Sequence, residues 1–209
     1  RLAAALSAEV REHLAIRMLQ RTVSILMDSG TVSGVLVVSR DNRALVVARK
    51  YGVKTVQESG VPELNAALER ASQVITSWYA QAALILPADL PLLAVSDLSA
   101  IVELGRYQQS AVIAPDRTGE GTNALLMRPP GLFEYAFGPG SFEKHCQAAG
   151  TAGATVHVYR SERLMLDLDT PDDLLVYLEA CQKSGIEPLI DLQPEDLLPF
   201  SDMPQKERP

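Results

Sequence analysis

Apolar positions in the opening stretch recur at helical spacing. Val10, Leu14, Met18 and Leu19 share a face, Ser7 stands ahead of them as an N-cap, and the pattern continues through Ile25 and Leu26 to a stop at Gly30. The period then changes. The β-branched run from Gly34 to Ser39 predicts a strand buried on both faces, as parallel sheets require. Residues 41–50 predict a helix over the sheet and Thr55-Val56-Gln57 a short strand. Pro62 opens a second amphipathic helix carrying Leu64, Ala67, Leu68, Ala71 and Ile75. Ala82–Leu86 predicts another deeply buried strand, ending at Pro87-Ala88-Asp89, after which Ser96 caps a helix over 97–104 that Gly105 closes.

The second half is less regular. Short strands over 110–113, 123–127 and 155–159 follow one another, with a loop at 116–121, and predict an antiparallel excursion or edge hairpin. Ser141, after the turn Phe137-Gly138-Pro139-Gly140, is expected to cap a helix over 142–149. Leu164–Leu168 should extend toward Asp169, and Pro171 should open an acidic-capped helix reaching about Ala180. Strands alternating with helices imply a doubly wound α/β fold with crossover helices. A (β/α)8 barrel typically takes about 250 residues, and this chain has 209. No internal repeat or linker divides it.

Hydrophobic residues make up 47% of the chain, enough to build a core, so disorder is not the default. The net charge of −7 argues against a nucleic-acid surface, which needs clustered Lys and Arg, but leaves a nucleotide possible as a small ligand. No apolar run reaches the roughly 18 residues that would span a bilayer. Arg1–Leu6 is too short for a secretory signal, so no membrane partner and a cytoplasmic location are expected. Cys146 and Cys181 read as small core residues, and His13, His145 and His157 are too scattered for a zinc site.

Asp89 is the strongest chemical candidate. A buried strand should deliver it to the carboxyl end of the sheet, where ligands of open α/β sheets bind, and Pro87 and Pro91 stiffen its turn. Otherwise it is a surface turn acid. In Leu166-Asp167-Leu168-Asp169 the two acids fall on one face if the segment is extended, with the leucines facing the core. Asp169 or Thr170 can also cap the next helix, where Asp172 and Asp173 suit the positive end. Carboxylates gathered from separate segments repel unless a cation or proton intervenes, which favours a Mg²⁺–phosphate site over acid–base work alone. Gly119-Glu120-Gly121-Thr122-Asn123 offers close backbone approach and neutral donors; Gly138-Pro139-Gly140-Ser141 offers helix-start N–H groups and a hydroxyl for an anion, unless it is a plain capped turn. Glu58 and Asn65 bracket the Pro62 turn and are candidates for the nucleotide. Arg40, Arg117, Arg128 and Lys144 could neutralise an acidic substrate.

In that order the segments resemble the small guanylyltransferases of deazaflavin-coenzyme biosynthesis, relatives of the molybdenum-cofactor nucleotidyltransferases. The resemblance is carried by Arg1-Leu2 with Leu6-Ser7, Leu64-Asn65-Ala66-Ala67-Leu68, Pro87-Ala88-Asp89-Leu90-Pro91-Leu92-Leu93 and Gly121-Thr122-Asn123-Ala124-Leu125-Leu126, then Phe137–Phe142 with His145-Cys146 and Asp167–Leu174. It implies a Rossmann-like, glycosyltransferase-A-like three-layer sandwich with a mostly parallel sheet. It also implies transfer of GMP from GTP to phosphoenolpyruvate or 2-phospho-L-lactate with release of pyrophosphate. By the same resemblance Asp89 and Asp169 act in catalysis and, with Asp167, hold Mg²⁺. Thr122, Gly138 and Ser141 surround the acid and Asn65 lies near the guanine nucleotide; Asn123, beside Thr122, and Glu58, across the turn from Asn65, are added to those two sets as candidates from the residues themselves. A related nucleotidyltransferase, such as a molybdenum-cofactor guanylyltransferase, and a non-catalytic nucleotide-binding homologue are the alternatives. Such a sheet is compatible with a homodimer. Family members carry a strand and a glycine- and lysine-containing nucleotide loop ahead of the Arg-Leu pair. The domain is therefore expected over residues 1–185 without them, with a proline-containing tail over 186–209, and a start upstream of Arg1 is the expected explanation.

Overall fold

The computed structural model describes residues 2–58 and 63–192. Helix α1 (Ala8–Asp28) forms as its periodicity predicts: the Ser7 hydroxyl accepts from the Val10 N–H at 3.3 Å, and Leu14, Met18, Leu19 and Val23 are buried. It closes at Ser29, just before the expected Gly30 stop. Strand β1 (Leu36–Ser39) leads through α2 (Asn42–Lys50) to β2 (Lys54–Gln57), which pairs with β1 in parallel. These two strands form their own sheet, and β1 is half-buried along its length, not covered on both faces as expected. Among the described residues its hydrogen-bonded neighbour is β2, and its apolar contact runs through Val37, with Val35 just before it, to α1 and α2. Helix α3 (Leu64–Ser77) follows; the expected opening at Pro62 lies outside the described residues.

The core lies in the second sheet. Its order is β3 (Ala83–Ile85), β5 (Thr122–Arg128), β4 (Ser110–Pro115) and β6 (Thr155–Val158). β6 runs parallel to β4, whereas β5 is antiparallel to both β3 and β4. The antiparallel excursion expected after residue 110 is therefore present, but in the middle of the sheet and not at an edge. That position accounts for composition. β4 is buried throughout and β5 is buried through Met127, and successive residues serve opposite layers. Ile113, Leu125 and Met127 pack with Leu68 of α3 and with Phe142 and Cys146 of α5 (Ser141–Thr151). Val112, Ala114, Ala124 and Leu126 pack with Leu98 and Ile101 of α4 (Val95–Leu104) and with Leu164 of α6 (Glu162–Met165). Helices thus cover both faces, giving three layers, and each fully buried leucine or isoleucine contributes about 1.5–3 kcal/mol.

Several element boundaries near the strand ends differ from expectation. Ala94, not Ser96, is the N-cap of α4, and the Asp97 carboxylate does the capping by accepting from the Ala94 N–H at 3.1 Å. Ser141 is the first residue of α5 and Gly140 its cap, at φ 69°, where a Cβ would be strained. Leu164 and Met165 belong to α6, so the non-helical run to Asp169 begins at Leu166. Helix α7 (Pro171–Ser184) is capped by Thr170, which accepts from the Asp173 N–H at 3.3 Å while Asp173 accepts from the Thr170 N–H at 2.9 Å. Such a reciprocal cap contributes about 1 kcal/mol. The helix passes Ala180 and stops at Gly185 in the left-handed conformation. Cys181 is buried and Cys146 half-buried, and both are free thiols. Among the described residues no helix is long and apolar enough to cross a membrane. Residues 193–209, most of the expected tail, lie outside the described residues.

Candidate active site

Beyond β3 the chain turns at Asp89, and the Leu168 N–H donates to the Asp89 carbonyl at 3.0 Å. The two acidic segments therefore touch, although they are far apart in sequence. Leu166 and Leu168 are buried and Asp167 and Asp169 alternate with them at intermediate exposure, as their spacing predicts. From the other side Arg21 of α1 donates to the carbonyls of Pro91 at 2.9 Å and Leu93 at 3.1 Å, pinning the turn. Asp89 Oδ1 is sealed from solvent and has no hydrogen-bond partner among the described residues. Burial, reinforced by the charges of Asp167 and Asp169, pushes the Asp89 carboxyl from 3.8 up to about 6. Burial also raises Asp167, against the lowering effect of a hydrogen bond from Asn123. Among the described residues no trio of acidic, histidine or cysteine side chains is preassembled as a metal cage.

Across the sheet end, β5 begins with two buried polar residues. Asn123 directs its amide hydrogens to the Leu164 carbonyl at 2.9 Å and to Asp167 Oδ1 at 3.2 Å, so it ties β5 to the acidic segment. Thr122 Oγ1 lies 2.9 Å from His145 Nδ1, and His145 Nε2 accepts from the Ala136 N–H at 3.0 Å. Asn65 of α3 accepts from the Phe137 N–H at 2.8 Å and donates to the Phe137 carbonyl at 3.2 Å, so both ends of its amide clamp this loop. Gly138 follows at φ 125°, with nothing within 4 Å of where a Cβ would sit, so its backbone faces open space. Ser141 is buried, and the N–H groups of Ser141 and Phe142 donate to the carbonyls of Gly138 and Glu120, each at 3.0 Å. Those helix-start donors therefore fold the loop and are not open to an anion. In the neighbouring turn a Cβ on Gly121 would lie 2.7 Å from Asp116 Oδ2, so any larger residue there would have to displace the Asp116 carboxylate. Glu58 lies apart from this wall, at the end of β2, where it accepts from Arg40 at 3.2 Å and from the Glu63 N–H at 3.3 Å. Among the other basic candidates, Arg117 pairs with Asp173 at 2.7 Å, Arg128 donates to the Gly105 carbonyl at 2.8 Å and Lys144 to the Pro139 carbonyl at 2.8 Å.

Three contributors were not singled out from sequence. Asp97 is fully buried and accepts from Arg163 at 2.8 and 2.9 Å, Ser161 at 2.7 Å and Tyr159 at 3.0 Å. Burial alone would raise its carboxyl, but these hydrogen bonds outweigh burial and lower it. The cluster anchors the chain just before α6 and hence the start of the acidic run. No local signal links partners so distant, and none marks Arg21. His145 did carry a signal: Ser141, His145 and Ala149 form a buried stripe at four-residue spacing.

A mixed sheet between helical layers, with acids at strand ends, defines an α/β nucleotidyltransferase fold. A solved 4-diphosphocytidyl-2C-methyl-D-erythritol synthase superposes with a TM-score of 0.59 at 15% identity, over 77% of this chain and 88% of that one. A cytidylyltransferase from Leptospira borgpetersenii superposes with a TM-score of 0.55 at 17% identity, over 84% and 87% of the two chains. Sequence narrows the class: residues 1–184 match the family described as "Guanylyl transferase CofC like", and the chain belongs to that family. The phosphoenolpyruvate guanylyltransferase of Rubrobacter xylanophilus is 44% identical over 174 residues, covering 83% of this chain and 84% of the relative. The 2-phospho-L-lactate guanylyltransferase of Methanothermobacter thermautotrophicus is 36% identical over 174 residues, covering 83% of this chain and 75% of the relative.

Proposed function

We propose that the protein joins GTP to phosphoenolpyruvate, or to the related acid 2-phospho-L-lactate, and releases pyrophosphate as a step of deazaflavin coenzyme biosynthesis. Relatives bearing both substrate names support the pair, and the more similar of the two quoted above is named for phosphoenolpyruvate. The observation that carries the reading is the sealed Oδ1 of Asp89, without a hydrogen-bond partner among the described residues, on a carboxyl that feels the charges of Asp167 and Asp169. A protein maintains such an uncompensated buried oxygen at a functional site, where a ligand supplies the missing partner. The residues fit Mg²⁺: Asp89 and Asp169, with Asp167, would hold it. When bound it supplies positive charge to the phosphoryl oxygens and the departing pyrophosphate.

The acid's phosphate oxygen forms a new bond to the α-phosphorus of GTP in line with the α–β bridging bond, which breaks as pyrophosphate leaves. The attacking phosphate is already anionic, so no protein base is needed and positioning dominates the rate. Thr122, Gly138 and Ser141 form the acid's wall. Asn123 serves it by orienting Asp167, and Asn65 by clamping Phe137. Glu58 is left for the nucleotide side. The reaction uses small molecules alone, in keeping with the acidic net charge and a cytoplasmic setting. The test is direct. Protein expressed from its full reading frame is supplied with Mg²⁺, one nucleoside triphosphate and one acid, and pyrophosphate is measured. Release with GTP that depends on either acid, and stays low with CTP or ATP, is expected. Release that needs no phosphorylated acid, or none with GTP and either acid, overturns the reading.

A further inference from the structure

We propose that His145 is a positioning residue for the acid substrate: held neutral with its proton on Nδ1, it leaves the Thr122 hydroxyl free to donate to the substrate anion. The proposal rests on the reading of Thr122 as part of the acid's wall. Its geometric basis is independent of that reading.

A backbone N–H is always a donor, so the 3.0 Å bond from Ala136 to Nε2 requires a lone pair there. That excludes the imidazolium, which carries a hydrogen on both nitrogens, and places the single proton of the neutral ring on Nδ1. Nδ1–H must then donate to Thr122 Oγ1, 2.9 Å away. The hydroxyl accepts from the ring and keeps its own hydrogen for another acceptor. With the other tautomer the hydroxyl would spend its hydrogen on the ring and turn only lone pairs toward an anion. Burial, assisted by the charge of Lys144, lowers the His145 pKa to about 4, in agreement with a neutral ring at ordinary pH.

The ring is also held in place. Phe137 packs its edge against it at 4.7 Å between centroids, and Asn65 grips both backbone groups of Phe137. Rotation of the imidazole would break the Ala136 bond and displace that clamp. One buried side chain thus sets the hydrogen-bond sense at β5 and the path of the loop leading to Gly138.

Two variants divide these duties. His145→Gln places an acceptor where Nε2 lies and keeps the Ala136 bond, but offers Thr122 no donor. His145→Asn places an N–H where Nδ1 lies and keeps the Thr122 bond, but loses Ala136. His145→Gln leaves the Thr122 hydroxyl its hydrogen but removes the donor that directs it, so the acid's KM is expected to rise about 3- to 10-fold, the range of one neutral hydrogen bond, with the KM for GTP unchanged. His145→Asn retains that donor and leaves the Ala136 N–H without its acceptor, so it is expected to raise the acid's KM less than His145→Gln does and to lower the Tm more. Nitrogen NMR of the unmodified protein should show Nδ1 protonated and Nε2 unprotonated at pH 7, which decides the point even if a variant does not fold. The reverse tautomer, an equal rise in both variants, or no rise with Gln overturns the proposal. Unmodified protein that is inactive with every acid overturns the functional reading instead, and the tautomer measurement keeps the two failures distinct.

Discussion

The two walls of the site are built on opposite electrostatic terms. On the β5–α5 wall the polar side chains named above pair with protein: Thr122 with His145, His145 with Ala136, Asn65 with Phe137, Asn123 with Leu164 and Asp167. On the carboxylate wall Asp89 Oδ1 is sealed without a hydrogen-bond partner among the described residues, and burial lifts its carboxyl to about 6. The first wall is complete before any ligand arrives, so its geometry costs nothing further when substrate binds. On the second, burial and the charges of Asp167 and Asp169 disfavour the ionised Asp89 carboxyl, which a cation or a proton relieves. Substitutions on the first wall should therefore be felt in stability and substrate affinity. On the second, replacing Asp89 should cost turnover while stabilising the fold.

The largest effect expected is that of Asp89→Asn. Loss of one electrostatic contributor at the reacting phosphates should lower kcat by at least about 100- to 1,000-fold, read as pyrophosphate release at saturating substrates. Stability should move the other way. The folded carboxyl holds its proton to about pH 6, whereas the unfolded one releases it near 3.8. As pH rises through that window the unfolded chain ionises first, so stability falls and stays lower above pH 6. At roughly 1.4 kcal/mol per unit the loss approaches about 3 kcal/mol, and Asn escapes it. Denaturant melts at pH 4 and pH 8 should show the variant gaining on the unmodified protein only at pH 8. Mg²⁺ should raise the Tm of the unmodified protein and not that of the variant. A pH-independent difference, or an equal Mg²⁺ response, would contradict the contrast between the walls.

Asn123→Ala comes next, because Asn123 is where the walls meet. The Leu164 carbonyl and Asp167 both lose a donor, which should cost about 1–3 kcal/mol in a denaturant melt and lower kcat by about tenfold. A loss of stability with kcat unchanged would confine Asn123 to the fold.

Legibility in the sequence followed interaction range. The Ser7 and Thr170 caps, the alternation of Leu166, Asp167, Leu168 and Asp169, and the stretches of β4 and β5 were readable because each is set by neighbours within a few residues. The position of β5 between β3 and β4 was not, because an antiparallel strand has the same alternation at an edge or in the centre. Likewise β1 reads as fully buried from its valines, and its exposure depends on which strands pair with it. Asp89 and the Asp167–Asp169 pair were recognisable as a set of acids, but their contact through the Leu168 N–H is a property of the folded chain. Arg163 meets Asp97 across 66 positions of sequence, and no periodicity encodes that.

The smallest effect, and the one that best sharpens the comparison, concerns Asn65. Resemblance placed this residue beside the nucleotide, yet both ends of its amide hold the Phe137 backbone, two bonds that hydrogen bonding to guanine would have to break. If the clamp persists during turnover, Asn65→Ala should cost about 1–2 kcal/mol of stability and raise the acid's KM a few-fold. It should leave the preference for GTP over ATP intact. Asn65→Asp retains the acceptor for the Phe137 N–H and loses only the donor, so its effect on the acid should be smaller than that of Ala. Should Asn65→Ala erase the GTP preference while the acid's KM holds steady, the amide must leave Phe137 to read the base. The β5–α5 wall would then be rebuilt on nucleotide binding and could no longer be counted as complete beforehand.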